Sequence, residues 1–128
     1  MQRDQATILD IYLAATDAIE FRGQHDEKAF RADIKTQSAV LHKLLIIGEA
    51  IRRLSPEFRE SHSEIPWKDI AGMRDRLIHQ YDRVDPKQVW DSLVEGLPVL
   101  VAFLGPLLPS EDPSPPNDAE PGGTRAPS

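Results

Sequence analysis

Apolar residues recur at steps of three and four positions along most of the first 108 residues, and this spacing limits the fold more than any other feature. Such a period places side chains on one face of an α-helix, whereas a half-buried strand alternates every second residue. No stretch shows the strand alternation. The pattern therefore predicts an all-α fold, an antiparallel bundle of four to five helices joined by short loops.

N-capping residues and prolines predict where these helices begin and end. A short helical turn opens at Ser55-Pro56, and Pro98 should kink or divide the last helix because proline lacks the backbone donor. The four main helices are predicted at about residues 4–21, at about 27–54, from Pro66-Trp67, and after Asp85-Pro86.

The second predicted helix carries more apolar residues than one face holds. Its main stripe serves the core of the chain, and a second apolar face is expected to serve a partner, which predicts a homodimer. The main stripe is Phe30, Ile34, Leu41, Leu44, Gly48 and Ile51, and the second face is Val40, Ile47 and Leu54.

The composition separates one helical domain, residues 1–108, from a Pro-rich acidic tail, residues 109–128, which has almost nothing apolar to bury and is predicted to be disordered. There is no Cys, so disulfides and Cys-ligated zinc are excluded. The N-terminus shows no apolar leader, and no uninterrupted apolar run approaches membrane-spanning length. We therefore expect a soluble cytoplasmic protein with no membrane partner.

The formal net charge is −6, which argues against a surface that coats nucleic acid. If RNA binds, it must bind in a local cleft where cations gather. Most of the candidate cations are explained equally well as a solvated surface of mixed charge, and only Arg74 stands out. The candidates are Arg52, Arg53, Arg59, Lys68, Arg74, Arg76, Arg83 and Lys87.

Residues 73–81 place an arginine, a histidine and a tyrosine in an otherwise apolar helical pattern, as Arg-x4-His-x-Tyr. Arg74 can clamp a phosphate, His79 titrates near neutral pH, and Tyr81 supplies an aromatic hydroxyl. Asp75 lies one turn before His79, where a carboxylate holds the ring or favours its protonated form, and Arg76 acts in the opposite direction. Taken singly, these residue types are common and also fit a purely structural role.

Helical geometry alone does not bring the pair together. Five residues separate Arg74 from His79, which is about 140° around the axis and about 7.5 Å along it. Either Arg74 bends round, or the helix distorts, or two copies of the chain complement each other.

The motif resembles the Arg-x4-6-His motif of the HEPN superfamily, and Gln80-Tyr81 narrows the resemblance to its HepT branch. The resemblance covers roughly residues 5–108. It also rests on the runs Ile65 to Met73, Ile47-Gly48-Glu49-Ala50, Leu54-Ser55-Pro56 and Val89-Trp90.

The resemblance implies a HEPN bundle that pairs so that two motifs face one cleft. It implies a toxin of a type VII-like toxin–antitoxin pair, a metal-independent ribonuclease with Arg74 and His79 catalytic, Asp75 and Arg76 supporting, and no metal or cofactor. Its partner would be an MntA-like minimal nucleotidyltransferase antitoxin that attaches AMP to Tyr81. The alternative is a non-catalytic helical dimer that binds a nucleotide or a nucleotidyltransferase.

Overall fold

The computed structural model describes residues 2–72 and 85–108, and these residues form helices joined by short connections. The all-α bundle predicted from periodicity is confirmed. A π-helical turn, Ser92–Gly96, joins the last two helices, and a 3-10 turn, Gly105–Leu107, ends the described chain. The helices are α1 (Gln2–Arg22), α2 (Glu27–Arg31), α3 (Ile34–Arg52), α4 (Pro56–Ser61), α5 (described over 67–72), α6 (Pro86–Asp91) and α7 (Leu97–Leu104).

The core lies where α1 packs along α3 and α7. It is aliphatic except for three aromatic side chains, Phe30, Trp67 and Trp90. Burial of this many apolar side chains is the main driving force for a chain of this size. Residues at the helical spacing fill this core, notably Ile8, Ile11, Ala15, Leu44, Ile51, Leu93, Leu97, Leu100 and Leu104.

The prediction of one long helix over residues 27–54 is wrong, because the chain breaks at Ala32 and Asp33. Asp33 is an N-cap in extended conformation, and its Oδ1 accepts from the Thr36 amide at 3.1 Å. The Gln37 side-chain amide donates to the carbonyls of Phe30 and Arg31 at 2.8 and 3.0 Å. These bonds satisfy backbone groups that the break leaves without helical partners.

The second apolar face predicted for that helix packs within the chain and not against a partner. Val40, Ile47 and Leu54 are at most 2% exposed within a single chain, so they belong to its own core. Ile34, assigned to the core stripe, is instead 75% exposed. The surplus-face argument for a dimer therefore no longer holds, since the neighbouring helices already cover that face.

Ser55 ends the α3 region and caps α4 as predicted, and it also ties α4 to the start of the chain. Its Oγ accepts from the Phe58 amide at 3.1 Å and donates to Asp4 at 2.7 Å. The Ser55 amide donates to the same carboxylate at 2.9 Å. Asp4 is only 2% exposed, and the two Ser55 bonds lower the pKa of its carboxyl group.

The π-helical turn accommodates Pro98. In a regular helix the proline ring would clash with the carbonyl of residue 94, four positions earlier. Residue 94 lies within the widened turn, which closes with a bond from the Leu97 amide to the Ser92 carbonyl.

The run Pro86–Leu107 is, among the described residues, the one helical stretch long and apolar enough to cross a membrane by length and composition. Core helices of soluble proteins meet the same test. The buried side chains of this stretch, which join the core, are Val89, Trp90, Leu93, Leu97, Leu100 and Leu104. The predicted tail, residues 109–128, lies outside the described residues.

The hydrogen bonds of the Asp33 carboxylate lead us to expect that the fold loses stability in acid. Hydrogen bonds from the Thr36 side chain and amide, and then from His25, lower the pKa of the Asp33 carboxyl group to about 2. A carboxyl group whose pKa is lowered on folding stabilises the fold above its unfolded pKa, and that contribution fades as the pH falls toward about 2. Between pH 4 and 2 the melting temperature of Asp33→Asn should therefore fall less steeply than that of the wild type. Parallel melting curves over that range would contradict the assignment.

Candidate functional site

The residues predicted to form the site lie in one stretch outside the described part of the chain. Arg74, Asp75, Arg76, His79 and Tyr81 all fall within residues 73–84. The structure therefore leaves the predicted Arg-His-Tyr arrangement untested. It does describe the segments that enter and leave this stretch, and both are attached to the core.

The entering segment is held by Trp67, which is 6% exposed. Its indole Nε1 donates to the His62 carbonyl at 3.0 Å, and its ring packs beside Phe58 with centroids 6.1 Å apart. Ile65, 2% exposed, fills the core just before it. The Ile70 amide then donates to the Pro66 carbonyl at 3.1 Å, which forms the first turn of α5. The run Ile65-Pro66-Trp67 thus fixes where α5 starts.

The leaving segment is held by Trp90 and capped by Asp85. Asp85 Oδ1 accepts from the Lys87 amide at 2.9 Å, and Pro86 occupies the first turn, as the sequence predicts. The Trp90 ring lies 5.4 Å from that of Phe30, and the Arg22 guanidinium sits 4.8 Å from its centroid. A cation over a desolvated indole adds to the packing.

These two anchors bound the position of the site residues by chain length alone. Arg74 is two residues from Gly72, so its Cα lies within about 7 Å of the Gly72 Cα. Tyr81 is four residues from Asp85, which limits that separation to about 14 Å. The two ends of the motif are thus tethered to α5 and α6.

Outside the motif, His25 makes two contacts that its position in the sequence does not indicate. Its place in the turn after α1 indicates a surface histidine, yet Nε2 lies 3.0 Å from Asp33 Oδ2 and Nδ1 lies 2.8 Å from the Arg22 carbonyl. The ring thus connects the end of α1 to the cap of α3. In the sequence, the only sign of this contact is an acidic residue, Asp33, eight positions after His25. His42 is exposed on α3.

Among residues 2–72 and 85–108, no group of three or more His, Asp or Glu side chains is arranged to hold a metal ion. The pair His25 and Asp33 has a structural use, because it caps and joins helices.

Comparison with known proteins places the chain in a family. It matches the family described as "Ribonuclease HepT-like" over residues 11–107, a stretch that includes the motif. A "Probable ribonuclease HepT" of Thermococcus cleftensis is 40% identical over 101 residues, which cover 78% of this chain and 92% of the relative. No solved structure matches the chain.

Two further relatives carry similar names. A "Putative RNase" of Caldanaerobacter subterraneus is 45% identical over 73 residues, 57% of this chain and 65% of that protein. A "Putative RNase" of Methanocaldococcus jannaschii is 35% identical over 94 residues, 73% of this chain and 78% of that protein.

The helical bundle and the extent of the match define a protein of the HepT type. The chain belongs to the HepT-like ribonuclease family. The resemblance found in the sequence is thereby confirmed, and so is the predicted class of enzyme at the level of the family.

Proposed function

We propose that the protein is a metal-independent ribonuclease and the toxin of a type VII-like toxin–antitoxin pair. The observation that carries the proposal is the family match over residues 11–107, because Arg74, His79 and Tyr81 all lie within it. RNA is the substrate that the family description implies. The motif supplies a phosphate-binding cation and a proton-transfer group, which are the two functions that RNA cleavage needs.

His79 acts as the general base or acid and Arg74 as the electrostatic clamp. The base takes the proton from a ribose 2′-hydroxyl, and the resulting oxygen attacks the adjacent phosphorus. The bond from phosphorus to the 5′-oxygen breaks, and that oxygen takes up a proton. The products are a 2′,3′-cyclic phosphate and a 5′-hydroxyl. Arg74 neutralises charge on the phosphoryl oxygens, while Asp75 and Arg76 adjust the protonation of His79.

The working unit in this proposal is a homodimer. The angular separation of Arg74 and His79 on an ideal helix supports it, because a facing copy supplies the partner that one helix face lacks. The cognate MntA-like nucleotidyltransferase binds the protein and silences it by attaching AMP to Tyr81. The homodimer and the modification of Tyr81 are proposed from the motif of this chain together with its membership of the family.

Purified protein should cleave single-stranded RNA in excess EDTA and leave RNA with 2′-O-methyl riboses intact. EDTA removes divalent cations, which the mechanism does not use, and methylation removes the attacking hydroxyl. Product ends can be read by mass spectrometry. Cleavage that disappears with EDTA would contradict the metal-independent mechanism. RNA or nucleotide binding without any cleavage would favour the non-catalytic alternative.

A further inference from the structure

A basic groove of about 870 Å³ lies between α4 and the start of α5. Three of its lining residues are cations: Arg52 at the end of α3, Arg59 on α4 and Lys68 on α5. Two acids, Glu60 and Asp69, line it as well. Apolar side chains also line it, among them Ile65 and Trp67, which are both buried.

The cations that the sequence suggests as RNA contacts differ in their surroundings. Arg53 pairs with Asp10 at 3.8 Å, and Lys87 pairs with Asp91 at 3.5 Å, so both are accounted for by neighbouring acids. Arg59 and Lys68 line this groove together with Arg52, which already has an interaction partner. The remaining three candidates, Arg74, Arg76 and Arg83, lie outside the described residues.

One side chain of the groove, Arg59, has a hydrogen-bond donor without an acceptor. Its Nε is buried and, among the described residues, has no hydrogen-bond partner. A buried charged donor without an acceptor is destabilising, so the Arg59 side chain is stabilised if it shifts to meet an anion bound in the groove. Phosphate oxygens match a guanidinium well, since its fork of N–H donors engages two oxygens at once.

The groove adjoins the proposed catalytic motif. Ala71 lines its wall, and Arg74 follows three residues later. Covalent geometry keeps the Cα of Arg74 within about 11 Å of that of Ala71, whatever conformation the chain takes. A strand whose scissile phosphate is held by Arg74 therefore has neighbouring phosphates within reach of the groove.

We propose that this groove is a subsite for the RNA backbone next to the scissile phosphate, with Arg59 and Lys68 as its phosphate contacts. The inference rests on the proposed ribonuclease function. Contacts are to phosphate and carry no base specificity, so they position a single strand without selecting its sequence. The carboxylates of Glu60 and Asp69 in the same groove weaken its electrostatic attraction for the RNA backbone. A local site of this kind allows an acidic protein, of net charge −6, to engage RNA at one place.

The test compares substrates of different length. For a single-stranded RNA of about twelve nucleotides, Lys68→Gln and Arg59→Gln should each lower kcat/KM by about three- to tenfold through KM. Each should also make the slope of log K against log salt shallower by about 0.7. Glu60→Gln, which removes a repelling charge from the same groove, should act in the opposite direction. Cleavage of a dinucleotide, which has only the scissile phosphate, should not change.

Lys35→Gln is the matched control. It removes the same charge from an exposed position on α3, 17 residues before Arg52 and about 25 Å from it along the helix axis. Groove variants that behave like this control on the longer RNA would overturn the subsite. So would equal losses on the dinucleotide, or a loss that affects only binding of the nucleotidyltransferase. Lys68 is exposed, so its variant still decides the matter if Arg59→Gln does not fold.

The two proposals fail in different ways. A wild-type protein that cleaves no RNA contradicts the ribonuclease assignment, and fluorescence anisotropy of the 2′-O-methyl RNA on the same variants still measures the groove. A wild type that cleaves, together with groove variants that match Lys35→Gln, contradicts the subsite alone.

Discussion

Replacing His79 with alanine should lower the rate of RNA cleavage by at least about a hundredfold, since a general acid or base contributes roughly that much or more. Arg74→Ala should cost a comparable factor, because a preorganised charge at the phosphoryl group acts mainly in the transition state. Both losses should appear in kcat. Helicity and melting temperature should stay at wild-type values, as neither side chain is expected to anchor the core.

His42→Ala is the matched control for His79→Ala. It removes an exposed histidine from α3, and its cleavage rate should equal that of the wild type. Retained activity in folded His79→Ala would sink the catalytic assignment and favour the binding-module alternative.

Mixing the two inactive variants tests whether the site is shared between copies. If Arg74 of one chain works with His79 of the other, a mixed dimer of Arg74→Ala and His79→Ala contains one complete site. Random exchange makes half of the dimers mixed, each with one of two sites, so about a quarter of wild-type activity should return. A site within one chain predicts no recovery, because every chain in the mixture lacks one of the two residues.

The sequence predicts helix boundaries well where a side chain acts on its own backbone. Ser55 and Asp85 cap the helices that follow them because the oxygen that accepts and the amides that donate lie within three residues. The break at Asp33 obeys the same chemistry, yet it was missed. Phe30 and Ile34 continue the helical spacing across it, and spacing alone does not show that Ile34 is 75% exposed.

Periodicity shows that a helix face is buried but not what covers it. Val40, Ile47 and Leu54 were assigned to a partner, and the same chain covers them. The groove was foreseeable only in part. Its three cations could be named as candidates, but their convergence depends on how α3, α4 and α5 meet, which no local pattern encodes. For the motif, residue identity suggested the chemistry, and the convergence of Arg74 and His79 stays a prediction.

The second large effect concerns control of activity. Incubated with ATP, Mg²⁺ and its cognate nucleotidyltransferase, the protein should gain one or more AMP units at Tyr81 and lose cleavage as its mass rises. In the proposed reaction the tyrosine oxygen would attack the α-phosphorus of ATP, pyrophosphate would leave, and the phenolic proton would pass to solvent. The new phosphodiester adds bulk and a negative charge two residues from His79, where it competes with RNA for Arg74.

Tyr81→Phe keeps the ring and removes only the acceptor oxygen, so it should gain no mass and keep its activity in the presence of the nucleotidyltransferase. Tyr12 is the other tyrosine of the chain and packs partly buried against the core, which makes Tyr12→Phe the matched control. That variant should be modified and silenced like the wild type. Intact-mass spectrometry beside a cleavage assay reads both effects in one sample. Equal mass gain in the wild type and in Tyr81→Phe would place the modification on another residue. Loss of cleavage without any mass gain would mean that binding of the nucleotidyltransferase is itself sufficient to exclude RNA.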